Sequence, residues 1–234
     1  MTADSRIIVP LDLPTRAEAE AMVEALGDAI TFYKIGLQLF ATDGMAMARD
    51  LKNRGRQVFL DWKLHDIGAT VEKAARALAE TNSGDFLTVH AEPQVLKAAV
   101  KGRGSSPLKI LGVTVLTSLN GQDLAEMGYG MGVEALVERR IRQVLDAGAD
   151  GVIASPHEAA LARKIGGDGF LVVTPGVRPD WASMDDQARA TTPAEAIAAG
   201  ATHLVCGRPI TGAADPRAAA LRIAEEISRA PATV

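Results

Sequence analysis

Asp61 and Lys63 stand two residues apart at the close of an apolar run, within Phe59-Leu60-Asp61-Trp62-Lys63-Leu64-His65-Asp66-Ile67-Gly68-Ala69-Thr70. Side chains two apart in a strand share a face, so the carboxylate and the ammonium point one way and Trp62 the other. Asp66 follows within one turn of chain and Thr70 opens what reads as the next helix, so four polar groups could converge on a small volume and hold a substrate. Lys34, on another apolar run, supplies a second cation. Lys34, Asp61, Lys63 and Asp66 then form an alternating set of two cations and two anions, in which each carboxylate favours the ammonium form against desolvation. A structural salt-bridge network is the plainer reading of mixed charges. The elements that position them decide between the two.

Short runs rich in Val, Ile, Leu and Phe recur at 6–12, 31–37, 57–63, 85–90, 109–116, 151–155, 170–174 and 203–206. Segments with helical spacing lie between them, among them 15–26, 70–80, 133–147 and 193–199. Strand and helix alternating eight times predict an α/β fold, a closed (β/α)8 TIM barrel spanning residues 1–234 as one catalytic domain. A doubly wound open sheet is the alternative. Gly27, Gly55, Gly84, Gly148 and Gly200 stand where helices should stop. Only the ends, 1–5 and 230–234, read as loose.

Barrel active sites gather at the carboxyl ends of the strands. Those ends are polar here: Asp12 after the first, Lys34 on the second, Asp61 and Lys63 on the third, Thr117-Ser118 after the fifth, Gly176-Val177-Arg178 after the seventh and Gly207-Arg208 after the eighth. That placement favours chemistry over a structural network. The loops Thr174-Pro175-Gly176-Val177-Arg178 and Val205-Cys206-Gly207-Arg208-Pro209-Ile210 each join a glycine to an arginine suited to forked contacts with phosphate oxygens. Either alone reads equally as a tight turn, whereas both on adjacent strands point to a phosphate.

Other motifs carry less. Gly128-Tyr129-Gly130-Met131-Gly132 mimics a dinucleotide fingerprint without the preceding strand or the spacing, and reads as a flexible loop with no cofactor. His65, His90, His157 and His203 are isolated, with no pair at metal-ligand spacing, so no metal site is expected. Met45, Met47 and Cys206 read as packing.

Bulk composition narrows the classes further. The 234 residues are 47% hydrophobic and 23% charged, enough for a sizeable core, and carry a net charge of −4 with the signs interspersed. No basic stripe invites nucleic acid, and no apolar run is long enough to span a bilayer. One cysteine excludes an intrachain disulfide, and Met1-Thr2-Ala3-Asp4-Ser5 has no signal-peptide core, so a cytoplasmic location is expected.

The run from Asp61 to Thr70 resembles the DxKxxDI-x-x-T signature of the orotidine 5′-monophosphate decarboxylases, in their bacterial form. Val9-Pro10-Leu11-Asp12, Tyr33-Lys34-Ile35-Gly36, Val115-Leu116-Thr117-Ser118, Thr174 to Arg178, Asp185-Asp186-Gln187 and Gly207-Arg208-Pro209-Ile210 follow in that family's order. The chain departs from it at Gly68-Ala69, where many relatives carry Pro-Asn. The resemblance implies a homodimer of barrels that converts orotidine 5′-monophosphate into uridine 5′-monophosphate (UMP) and carbon dioxide without metal or organic cofactor. It implies Lys63 as proton donor, with Asp61 and Lys34 completing the charge array. Asp66 and Thr70 would reach the neighbouring site, Asp12 the ribose and Thr117 the pyrimidine. Pro175, Arg178, Gln187, Gly207 and Arg208 would surround the phosphate end.

The chemistry suits these residues. Losing carbon dioxide leaves a carbanion in the ring plane with little resonance relief, and an ammonium held at that carbon both stabilises it and protonates it. Two rivals remain: a magnesium-dependent sugar-phosphate enzyme sharing DxKxxD, which would carry a carboxylate ligand where this chain has Lys34, and a non-catalytic nucleotide sensor.

Overall fold

A computed structural model describes residues 3–182 and 191–230. Its eight parallel strands, β1 (Ile7–Pro10), β2 (Phe32–Ile35), β3 (Gln57–Leu64), β4 (Phe86–His90), β5 (Lys109–Val113), β6 (Gly151–Ile153), β7 (Leu171–Pro175) and β8 (His203–Val205), pair in sequence order and close, β8 against β1, into a barrel. The helices between them are α1 (Arg16–Leu26), α2 (Leu37–Phe40), α3 (Gly44–Asn53), α4 (Gly68–Glu80), α5 (Pro93–Arg103), α6 (Gly121–Glu126), α7 (Val133–Asp146), α8 (Ala159–Gly166), α9 (Pro193–Ala198), α10 (Arg208–Thr211) and α11 (Pro216–Ser228). The expected (β/α)8 fold is therefore the observed one.

Alternation along the strands sorts the core into two parts. Ile8, Phe32, Phe59, Phe86, Leu111 and Val173 pack together as one cluster inside the barrel. The residues of opposite parity, such as Val9, Tyr33, Val58, Leu87 and Val172, join the larger cluster under the helices. Helix starts follow local chemistry: the Thr15 hydroxyl accepts from Glu18 N at 3.2 Å, and Asn120 and Thr192 each form a reciprocal box with Asp123 and Glu195.

Three expectations are corrected. Gly84 caps no helix: α4 ends at Glu80, Asn82 takes the positive φ of 46°, and Gly84 instead leaves room for Leu60, whose Cδ1 would lie 2.8 Å from an added Cβ. Several strands also end earlier than the apolar runs do, β1 at Pro10 and β5 at Val113. Asp4, assigned to a loose end, is tied to Arg6 through a 2.7 Å ion pair.

At the amino end of the barrel, His203 meets Phe86 and Phe32 edge to face, with centroids at 5.1 and 5.9 Å. Burial pushes its pKa down from 6.5 to about 4. The unfolded chain therefore takes up the proton first, and stability present at neutral pH falls by about 3 kcal/mol in all as pH drops from near 6.5 to near 4. Urea midpoints across that window should fall more steeply for the native chain than for His203→Gln. Parallel curves would show that His203 is not the source.

Candidate active site

The carboxyl ends of the strands open on a cavity of about 530 Å³, within the range of small-molecule sites. Asp12, Lys34, Asp61, Lys63, Thr117, Pro175, Gly176, Arg178, Gly207, Arg208 and Thr211 supply its polar and loop wall, and Phe59, Val113, Val115, Leu116 and Ile153 an apolar one. Val115 and Leu116 explain the early end of β5: they are apolar because they line the cavity, not because they pair.

A chain of alternating charges crosses the floor. Lys34 Nζ lies 3.0 and 3.1 Å from the two Asp12 oxygens and 3.4 Å from Asp61 Oδ2, and Lys63 Nζ donates to Asp61 Oδ1 at 2.8 Å. The Lys34 side chain is 9% exposed and that of Asp61 14%, so these charges interact through little water. Burial alone would raise the Asp61 carboxyl. The Lys34 and Lys63 cations, with hydrogen bonds from Lys63 and Thr88, outweigh it and hold the group below its ordinary value. Gly36 makes the Asp12–Lys34 contact possible: an added Cβ would collide with Asp12 Oδ1 and lie 2.8 Å from Lys34 Nζ.

Asp61 and Lys63 do share a side, but regular alternation is not the cause. The β3–β4 register runs Leu60 to Leu87 and resumes at Leu64 to Val89, a bulge that sets Asp61, Trp62 and Lys63 against Thr88 alone. Within it Lys63 takes a φ of 48°, a left-handed conformation that costs a side-chain-bearing residue about 1–3 kcal/mol. Trp62 points outward and meets Phe40 at 4.4 Å between centroids. Thr88 has no sequence signature, yet it is fully buried and touches both functional residues.

The expected convergence of four groups is corrected. Asp66 and Thr70 are exposed and do not line this cavity. The chain turns away after Leu64, and Asp66 Oδ1 accepts from Ile67 N at 2.6 Å ahead of α4. Asp12 takes the fourth place in the array. Gly68 and Ala69 are the first residues of α4, so the helix begins two positions before Thr70.

On the opposite wall Gly176 has a φ of 79°, and Arg178 is buried, its backbone N donating to Thr191 O at 3.0 Å. Gly207 follows β8 after Cys206, and Arg208 opens α10. Gln187 lies outside the described residues. Cys206 is buried, which pushes its thiol up to about 12 and leaves it inert as a nucleophile.

Two further readings change. His65 and His90, isolated in sequence, pack against each other at 4.9 Å between centroids with their planes tilted by 40°, and His65 Nε2 lies 3.8 Å from Glu92 Oε2. The loop of Gly128 to Gly132 is anchored, because Arg140 donates to the Tyr129 hydroxyl at 2.9 Å and covers its ring. Among the described residues no group of three or more His, Cys, Asp or Glu side chains is arranged to hold a metal ion.

Comparison with known proteins adds an independent line. The profile of the orotidine 5′-phosphate decarboxylase / HUMPS family matches residues 5–223. An orotidine 5′-phosphate decarboxylase of Caulobacter vibrioides is 66% identical over 232 residues, 97% of this chain and 99% of that protein. One of Rhodopseudomonas palustris is 56% identical over 225 residues, 96% and 95% of the two chains. Among solved structures, orotidine 5′-phosphate decarboxylase from Lactobacillus acidophilus matches with a TM-score of 0.84 at 37% identity, covering 96% of this chain and 99% of that one.

Proposed function

This chain belongs to the orotidine 5′-phosphate decarboxylase family, and from that premise we propose how its charged array works. The enzyme converts orotidine 5′-monophosphate into UMP and carbon dioxide, the last step of UMP synthesis, and needs no cofactor. The whole chain acts as one barrel domain in the cytoplasm. The observation that carries the mechanism is the Lys63 ammonium, held 2.8 Å from Asp61 at the mouth of the barrel.

The carbon–carbon bond to the substrate carboxylate breaks and its electron pair stays on the ring carbon. Lys63 stabilises that charge as it develops and then gives the carbon its proton, so one group serves as electrostatic and acid catalyst. Asp61 orients Lys63. Lys34 occupies the space between Asp61 and Asp12 where a metal-dependent relative would need a carboxylate ligand, and its charge repels a divalent cation. Asp12 meets the ribose and Thr117 the pyrimidine. Pro175, Gly176, Arg178, Gly207 and Arg208 enclose the phosphate, whose binding energy holds the reactive, closed state.

We infer further that two copies associate. Asp66 and Thr70 are exposed on either side of Ile67, which is itself 67% exposed, and this suits a segment that completes the site of a second barrel.

The test is the ultraviolet absorbance of orotidine 5′-monophosphate on adding the protein, with and without EDTA. A chelator-insensitive decay to the UMP spectrum supports the reading. No decay from folded protein, or a decay that EDTA abolishes and magnesium restores, overturns it. Arg208→Ala should weaken UMP binding by about 1.5–3 kcal/mol, the worth of a charged hydrogen bond, with less effect on uridine. An unchanged UMP affinity by calorimetry would place the phosphate elsewhere.

A further inference from the structure

The Thr88 hydroxyl bridges both partners of the Asp61–Lys63 pair. It donates to Asp61 Oδ1 at 2.9 Å and accepts from the Lys63 backbone N at 3.0 Å, and Thr88 is fully buried. It is the only β4 residue opposite the three-residue bulge of β3. The Lys63 N–H meets it from the turn where φ is 48°, a conformation that persists only where its surroundings hold it. Asp61 Oδ1 is the same oxygen that receives Lys63 Nζ at 2.8 Å. The hydroxyl thus closes a ring through the Asp61 carboxylate, the Lys63 side chain and the Lys63 amide.

We propose that Thr88 is a positioning residue for the decarboxylation: through its hydroxyl it locks the bulge and the Asp61 carboxylate so that the Lys63 ammonium stands where the ring carbon will lie. Thr88 does not line the cavity, so it acts through Asp61 and Lys63 and makes no contact with substrate. Position matters here because a displacement on the order of 1 Å at a reacting group can lower a rate by about 100-fold. The bond to Thr88 is also among the contacts that hold the Asp61 carboxyl low.

The proposal rests on the decarboxylase reading, and its test is built to separate the two. Thr88→Val keeps the shape and suits a strand, while Thr88→Ser keeps the hydroxyl. For Thr88→Val we expect kcat to fall by about 10- to 100-fold, with KM and UMP affinity changed by less than about twofold and the acid limb of the kcat profile moved to higher pH. Thr88→Ser should restore most of kcat and the native limb. Native kcat in Thr88→Val, an equal loss in Thr88→Ser, or a parallel loss of UMP affinity would each overturn the role. Hydrogen exchange of the Lys63 amide supplies a readout independent of turnover: it should quicken in Thr88→Val and stay slow in Thr88→Ser, and equal rates in all three chains would overturn the anchoring. A native chain that left orotidine 5′-monophosphate untouched would instead sink the decarboxylase reading, with the exchange comparison still deciding whether the hydroxyl holds Lys63.

Discussion

Lys63→Ala should lower kcat for orotidine 5′-monophosphate by about 10⁴-fold or more while the chain stays folded and still binds UMP. The size follows from two roles lost together, general acid catalysis worth about 10²–10⁴ and electrostatic stabilisation worth about 10²–10³. The rest of the site is not built on Lys63. Asp61 keeps Lys34 at 3.4 Å and the Thr88 hydroxyl at 2.9 Å, and the phosphate-facing residues Gly176, Arg178 and Gly207 lie in the loops after β7 and β8, with Arg208 opening α10. Circular dichroism and UMP calorimetry should therefore match the native chain closely. Turnover within about 100-fold of native would remove Lys63 as the proton donor and leave electrostatics from Lys34 as the surviving explanation.

What could be read from the chain, and what could not, divides along one physical line: signals carried by local periodicity were legible, and those set by register between strands were not. Each of the eight strands lies within or beside its apolar run, because strands covered by helices outside and by a packed interior must be apolar on both faces. Lys34, Asp61, Lys63, Arg178 and Arg208 were legible for the opposite reason: a charge at the end of such a run is costly to bury unless it is used. Thr88 was missed because its partners lie 25 and 27 positions away and only the bulge brings them opposite it. Parity held a clue, since Phe86, Thr88 and His90 share the inward face of β4 and the last two are polar beside an apolar first. His65 and His90 meet through the same strand pairing. Asp66 does not join the array of its own barrel, because the chain turns outward at Leu64 and closeness along the chain is not closeness in space there. Gly84 was misassigned because a glycine can serve a close approach as readily as a left-handed turn, and sequence does not distinguish the two.

The outward turn of Asp66 leads to the second large effect. If Asp66 acts in the site of a partner barrel, Lys63→Ala and Asp66→Ala chains, each nearly inactive alone, should regain activity when mixed under conditions of subunit exchange. In a mixed dimer, the site built on the Asp66→Ala barrel keeps its own Lys63 and receives Asp66 from the Lys63→Ala chain, so it is complete. The other site lacks both groups. Random pairing makes about half of the dimers mixed, each with one of its two sites intact, so about one quarter of native activity should return. The residual activity expected of the parents is far below that level, which makes the expected rise large against its background. Size-exclusion chromatography of differently tagged chains would establish exchange independently. Proven exchange with no recovery would assign Asp66 to its own barrel, and its exposure would then need a closing movement within one chain to bring it to Lys63. Recovery would instead mean that the barrel described here is half of the working unit, with Asp12 completing the charge array from within and Asp66 entering from the neighbour.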